Sequence, residues 1–162
     1  MAEKIDLNTL PKGLTKEEFT ALPNFKKIRS FFTWAGVVSI GSGILICSEI
    51  GKTAESVFQA GGSYDDMSRL WAVKLNMLFM IFDIVMGILL LKKKTTKMAY
   101  ILAITELVYI VLVLVLGGTI GIGAIAFLLA LAGAIRIDKK WKQYQEISGG
   151  SNQLNHTGNS TA

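Results

Sequence analysis

The chain of 162 residues holds one cysteine, one histidine and two prolines. Each scarcity excludes something. The lone Cys47 cannot form an internal disulfide or a multi-cysteine metal site, and within an apolar run it reads as a small packing residue. The lone His156 lies in a polar tail, which removes a histidine-based triad and a multi-histidine metal site. Pro11 and Pro23 both fall in the first thirty residues and act there as breaks. The glycines form no phosphate-binding loop with the Lys-Ser or Lys-Thr that such a loop requires. No metal or cofactor is expected, and the chain is expected not to be an enzyme.

Apolar residues are abundant. They make up 51% of the chain, beside 18% charged residues, and the mean hydropathy is +0.46. The charges gather at the termini and between apolar runs, the pattern of a polytopic all-α membrane protein in one domain. The net charge of +5 would suit nucleic acid. Its lysines, however, flank apolar runs as they do in cytoplasmic loops, so no nucleic-acid partner is expected. The expected partners are the lipid bilayer and either a second copy of the chain or another membrane protein.

The apolar runs predict a four-transmembrane-helix bundle over 31–135, with spans at about 31–50, 71–91, 98–116 and 119–135. A helix needs ~20 residues to cross a bilayer, so the fourth span is short. Small residues recur along the first span (Ala35, Ser39, Gly43, Cys47) and the fourth (Gly123, Ala126, Ala130, Gly133), as they do where membrane helices approach closely. Phe31, Phe32 and Trp34 suit an interfacial belt.

Residues 1–30 form a polar N-terminal segment. Thr15-Lys16-Glu17-Glu18 fits a capping box, predicting a short helix over 16–22. Its Leu14, Phe19 and Leu22 either lie on the membrane surface or belong to a solvated helix. Asn24 is placed to cap the first span. Residues 51–70 read as the longest loop, with a short helix over 53–60 ended by Gly61-Gly62. A new helix start at Ser63, with Asp65 and Asp66 in its first turn, leads into the second span. Gly117-Gly118-Thr119-Ile120-Gly121 reads as a tight link. The tail 136–162 opens with basic and aromatic residues, and 148–162 are expected to be disordered.

Lys and Arg number six in 1–30, four in 92–97 and four in 136–162, against two in 51–70 and none in 117–121. The positive-inside rule therefore predicts that both termini are cytoplasmic. The plasma membrane is the expected location. The sequons at Asn155 and Asn159 should then stay unmodified.

Two acids sit inside apolar runs. Asp83 lies nine residues before Lys92, and Glu106 lies nine residues after Lys97. Nine helical residues cover about 13–14 Å, which brings both acids to about the middle of a ~30 Å hydrocarbon core. Their flanks match as well, Ile81-Phe82-Asp83-Ile84-Val85 against Ile104-Thr105-Glu106-Leu107-Val108. An acid at the bilayer centre costs about 2.5–3.5 kcal/mol on insertion scales, so both are expected to face the bundle interior. At least one is expected to keep its proton at neutral pH and donate a hydrogen bond. Asn76 shares the face of Asp83, and Tyr109 is a candidate partner for either acid. Glu49 and Lys74 fall at one height near the outer interface, as a pair or each reaching separately to water.

Two functional expectations follow. The first is a structural or regulatory membrane protein in which Asp83 and Glu106 are helix-to-helix glue. The alternative is a small proton- or cation-coupled transporter or channel that uses the same two acids at the midplane.

Overall fold

The computed structural model describes the backbone of residues 7–116 and 121–157, with side chains except at 67–69 and 149–157. Every regular element among the described residues is helical. A 3-10 turn at Leu7–Thr9 precedes α1 (Lys16–Ala21). A second turn at Pro23–Phe25 leads into α2 (Lys26–Gln59). Then follow α3 (Tyr64–Arg69), α4 (Trp71–Lys93), α5 (Thr96–Val115) and α6 (Gly123–Thr157).

Three segments are long and apolar enough to cross a membrane: Pro23–Gln59, Trp71–Lys93 and Thr96–Val115. Their outward faces are apolar too. Leu78, Ile81 and Val85 on α4 and Ile104, Leu107 and Val111 on α5 are exposed. A surface of that kind belongs in lipid, which points to a membrane protein. The apolar part of α6 stops at Ile135, and Arg136, Asp138, Lys139 and Lys140 follow within the same helix.

Helix α2 is longer than the expected first span. At 1.5 Å per residue its 34 residues cover about 51 Å, well beyond the hydrocarbon core. Residues 51–59 continue it instead of opening a loop. A single glycine costs a helix only ~1 kcal/mol, and Gly51 is bracketed by supporting bonds. Lys52 Nζ donates to Glu49 Oε1 at 2.7 Å and the Thr53 hydroxyl to the Glu49 carbonyl at 2.9 Å. The helix ends where glycine permits a left-handed residue. Gly61 has φ +80, and the Gly61 and Gly62 amides bond back to the Phe58 and Val57 carbonyls.

Ser63 and Asp66 cap α3 reciprocally: the Ser63 amide donates to Asp66 Oδ2 at 2.8 Å and the Asp66 amide to Ser63 Oγ at 3.4 Å. The expected continuous entry into the second span is interrupted at Leu70. This residue is extended (φ −68, ψ 114), and its carbonyl accepts the Val73 and Lys74 amides.

Helices α4 and α5 form a hairpin. Its turn uses Lys94 in the left-handed region (φ 47, ψ 38) and Thr95 as N-cap, whose Oγ1 accepts the Met98 amide at 3.4 Å. Despite that link, α4 packs chiefly on α2, and α5 chiefly on α6. Helix α6 in turn packs on α2, and α4 and α5 touch each other far less than either touches its main partner. One core fills the lysine-rich half, with Phe32, Leu90, Leu102, Ala130 and Ile137 at its centre. Between lipid-embedded helices such a core holds by close packing rather than by the hydrophobic effect.

A second core lies at the lysine-rich end. Leu7, Phe19 and Phe25 bury against Tyr144, with Trp141 alongside. The capping box at Thr15 and Glu18 is present, but the helix it starts is docked on α6. Phe19 is 0% exposed, so it lies neither on a membrane surface nor in solvent. Tyr144 fixes the docking: its hydroxyl donates to the Pro11 carbonyl at 2.7 Å and accepts the Leu14 amide at 3.1 Å. Asn24 does not cap α2. It lies inside the 3-10 turn, and Phe25 precedes α2 without a side-chain cap. Phe32, expected in an aromatic belt, is a core residue, whereas Trp34 is exposed.

The tail expected to be disordered from 148 continues as helix to Thr157. Adding residues to an existing helix needs no new nucleus. Residues 117–120, most of the predicted glycine link, and residues 158–162, with the second sequon, lie outside the described residues.

Candidate functional site

Helices α2 and α4 approach closely because glycines face each other. A Cβ built on Gly36 would stand 2.8 Å from the Gly87 carbonyl oxygen, and one on Gly43 would stand 3.0 Å from the Met80 carbonyl oxygen. The packed face of α2 comprises Phe32, Ala35, Gly36, Ser39, Ser42, Gly43 and Ile46. The predicted stripe held Ala35, Ser39 and Gly43 but also Cys47, which is exposed. The Ser39 hydroxyl donates to the Asp83 backbone carbonyl at 2.9 Å. That bond holds α4 so that the Asp83 side chain enters the bundle.

Asp83 and Glu106 are each 1% exposed. Their carboxyls face each other, and the Ser42 hydroxyl lies beside Asp83. Glu106 also abuts the start of α6, where a Cβ on Gly123 would overlap its carboxylate. One level of the bundle therefore joins α2, α4, α5 and α6 through Ser42, Asp83, Glu106 and Gly123. Asp83 Oδ2 and both Glu106 oxygens have no hydrogen-bond partner among the described residues. A buried polar atom without a partner is costly, so a proton, a cation or water is required there.

The start of α6 sets the height of this level. Ile122 Cδ1 is 3.6 Å from a Cβ built on Gly41, near the middle of α2. At that height α5 still has nine residues to run to Val115, about 13 Å. Helix α6 thus begins beside Glu106 rather than at the far end of α5. This accounts for the shortness of its apolar run. Above its first turn, a cleft of about 270 Å³ opens between α2 and α5. Ser42, Glu49, Glu106, Tyr109 and Gly123 line it, with Ile46, Val113 and others.

The remaining candidate residues lie as follows. The Tyr109 hydroxyl donates to Asn76 Oδ1 at 3.3 Å rather than to either acid, and its ring packs on Phe79 at 4.5 Å. Glu49 does not pair with Lys74. It binds Lys52 at 2.7 Å on its own helix, a partner one turn away that needs no second helix, and Lys74 is exposed. Sequence reasoning missed Ser42, and it placed Gly123 in a packing stripe without linking it to Glu106. The signal available was their position on the small-residue faces of α2 and α6.

The fold and this level define a class, a helical membrane protein with a buried carboxyl pair where four helices meet. Compared with protein-family models, curated proteins and solved structures, the chain matches none.

Proposed function

We propose that this is a small integral membrane protein of structural or regulatory type, not an enzyme, with Asp83 and Glu106 as helix-to-helix glue. One observation carries the reading. The two acids meet where α4 and α5, otherwise loosely packed, are brought together with α2 and α6. A carboxyl that keeps its proton donates to the other, so a single shared proton ties α4 to α5. Interhelical hydrogen bonds in membranes contribute about 0.6 kcal/mol on average and up to about 1.7.

Helix α6 serves as the fourth span in this reading. Ala126, Ala130 and Ala134 face the bundle, while Ile125, Leu128 and Ile135 are exposed to lipid. The lysine-rich end is cytoplasmic by the positive-inside rule, which puts both termini inside, in the plasma membrane. The exposed apolar faces leave room for a second copy of the chain or another membrane protein.

Melting of the full chain in lipid tests the glue. Asp83→Asn and Glu106→Gln still hydrogen-bond and should melt close to the parent. Asp83→Leu should melt lower, and a Leu variant as stable as the parent would overturn the reading.

The cleft favours a second reading, a proton- or cation-coupled transporter or channel. Glu106, whose carboxyl oxygens are unpartnered, is among the residues that line it, while Phe32, Leu90 and Ile137 close the bundle towards the lysines. Intramembrane acids beside a cavity mark ion pathways. Infrared carboxyl bands separate the two readings. Bands that titrate reversibly and shift with added cation support transport, whereas bands blind to both support sealed glue.

A further inference from the structure

A larger cleft, about 580 Å³, lies at the lysine-rich end of the bundle. Lys16, Glu17 and Thr20 of α1 form one wall, Arg29 of α2 another, and Lys93 through Lys97 at the α4–α5 turn the third. Lys16 is neutralised, with Nζ 2.7 Å from Asp138 Oδ1, and Asp138 also accepts the Tyr100 hydroxyl at 2.9 Å. Arg29, Lys93, Lys94 and Lys97 have no ion pair among the described residues, and Glu17 is the one acid on the wall.

Four cations converging on one concavity repel each other unless an anion enters. The first turn of α5 adds to this pull. Thr96 and Lys97 are its first residues, and their amides have no partner within the helix. Lys94 carries a further mark. It holds a left-handed backbone (φ 47), a position that favours Gly or Asn. It is partly buried and lines the cleft.

Helices α4 and α5 are two of the membrane-crossing candidates, and their shared turn forms this wall. The cleft therefore opens at the level of lipid headgroups. We propose that it binds the phosphate of an anionic membrane lipid, with Arg29, Lys93, Lys94 and Lys97 as the cationic contacts and the α5 amides as donors. Basic pockets between membrane helices take such headgroups by the same chemistry. This proposal is independent of the roles of Asp83 and Glu106.

The test is a titration of the full chain in detergent with short-chain phosphatidylglycerol, read by native mass spectrometry, with phosphatidylcholine as the reference. The parent should prefer phosphatidylglycerol. Lys94→Asn and Lys97→Gln should each weaken binding about fivefold, the worth of one basic side chain at an anionic surface. Lys94→Asn removes the backbone strain, so it should melt no lower than the parent while binding less lipid. That separates a lost contact from a damaged fold. Lys139→Gln with Lys140→Gln, outside the cleft, should bind as the parent does. Equal binding of both lipids, or an equal loss in the control, would overturn the proposal. Displacement of the lipid by glycerol phosphate at matching concentration would assign the cleft to a soluble phosphate and overturn it too.

Discussion

Gly36 and Gly87 face each other so closely that neither leaves room for a methyl group. A Cβ on Gly87 would stand 2.7 Å from the Gly36 carbonyl oxygen and 3.2 Å from the Ile40 amide nitrogen. These obstacles are backbone, which cannot swing aside as a side chain does. The contact holds α2 and α4 in the register that brings Ser39 to the Asp83 carbonyl.

Gly87→Ala and Gly36→Ala should therefore destabilise the bundle. Overpacking costs typically about 1–3 kcal/mol, and the better helix propensity of alanine returns up to ~1. Gly51→Ala is the matched control, because nothing lies within 4 Å of its added Cβ. It should melt at or above the parent. Thermal unfolding of the three variants in one detergent gives the order.

The N-terminal segment should detach from α6 without unfolding the bundle. Phe19 touches Phe25, Trp141 and Tyr144, with ring centroids 4.5, 5.2 and 5.1 Å away. A buried Phe→Ala change costs about 3–5 kcal/mol, more than a small docked segment can lose. Tyr144→Phe removes two hydrogen bonds worth about 0.5–1.5 kcal/mol each and should have the milder effect. Tryptic cleavage after Lys12 and Lys16 should be fast in Phe19→Ala, intermediate in Tyr144→Phe and slow in the parent.

How far the fold was legible depended on whether local pattern or tertiary packing decides. Helices α4 and α5 were plain, because unbroken apolar runs meet at a lysine turn. The meeting of Asp83 and Glu106 was legible too, since equal spacing from that turn sets their heights. The extension of α2 through residue 59 was hidden, because its polar side chains look like a loop and bond only within the helix. The start of α6 beside Glu106 was hidden for another reason: its depth comes from packing on Gly41 and Phe32, which no local pattern encodes. The docking of Phe19 on Tyr144 joins residues 125 positions apart. Its one local hint was the aromatic pair Trp141 and Tyr144, one turn apart.

Acidification should loosen the first turn of α1. The Thr15 amide and hydroxyl hold the Glu18 carboxyl below the usual carboxylate range. A lowered value in the fold means that the cap is complete above the unfolded-chain value of 4.5 and is lost as pH falls through the folded value. NMR titration of the Thr15 and Glu18 amides should show this loss at acid pH. Glu18→Gln should keep α1 and remove the pH dependence. Amides that do not respond in the parent would show that the bond from Thr15 to Glu18 does not hold α1.

Water in the cleft above α6 is the last expectation, and it bears on which role Glu106 plays. Thiols react with impermeant reagents as thiolates, which need water. In a Cys47→Ser background, Val113→Cys places a thiol on the cleft wall, and Val111→Cys places one on the exposed lipid-facing side of α5. Both lie on the same stretch of α5, so depth alone does not separate them. If water fills the cleft, Val113→Cys labels and Val111→Cys does not. Labelling should also require reagent on the side of Glu49, because Phe32, Leu90 and Ile137 close the bundle towards the lysines. Blocking by the attached label should then change the infrared carboxyl band of Glu106, the nearest acid on that wall. Equal silence at both positions would mean a dry cleft. One of the unpartnered Glu106 oxygens would then bond to Asp83 through the shared proton, which leaves the acids as glue.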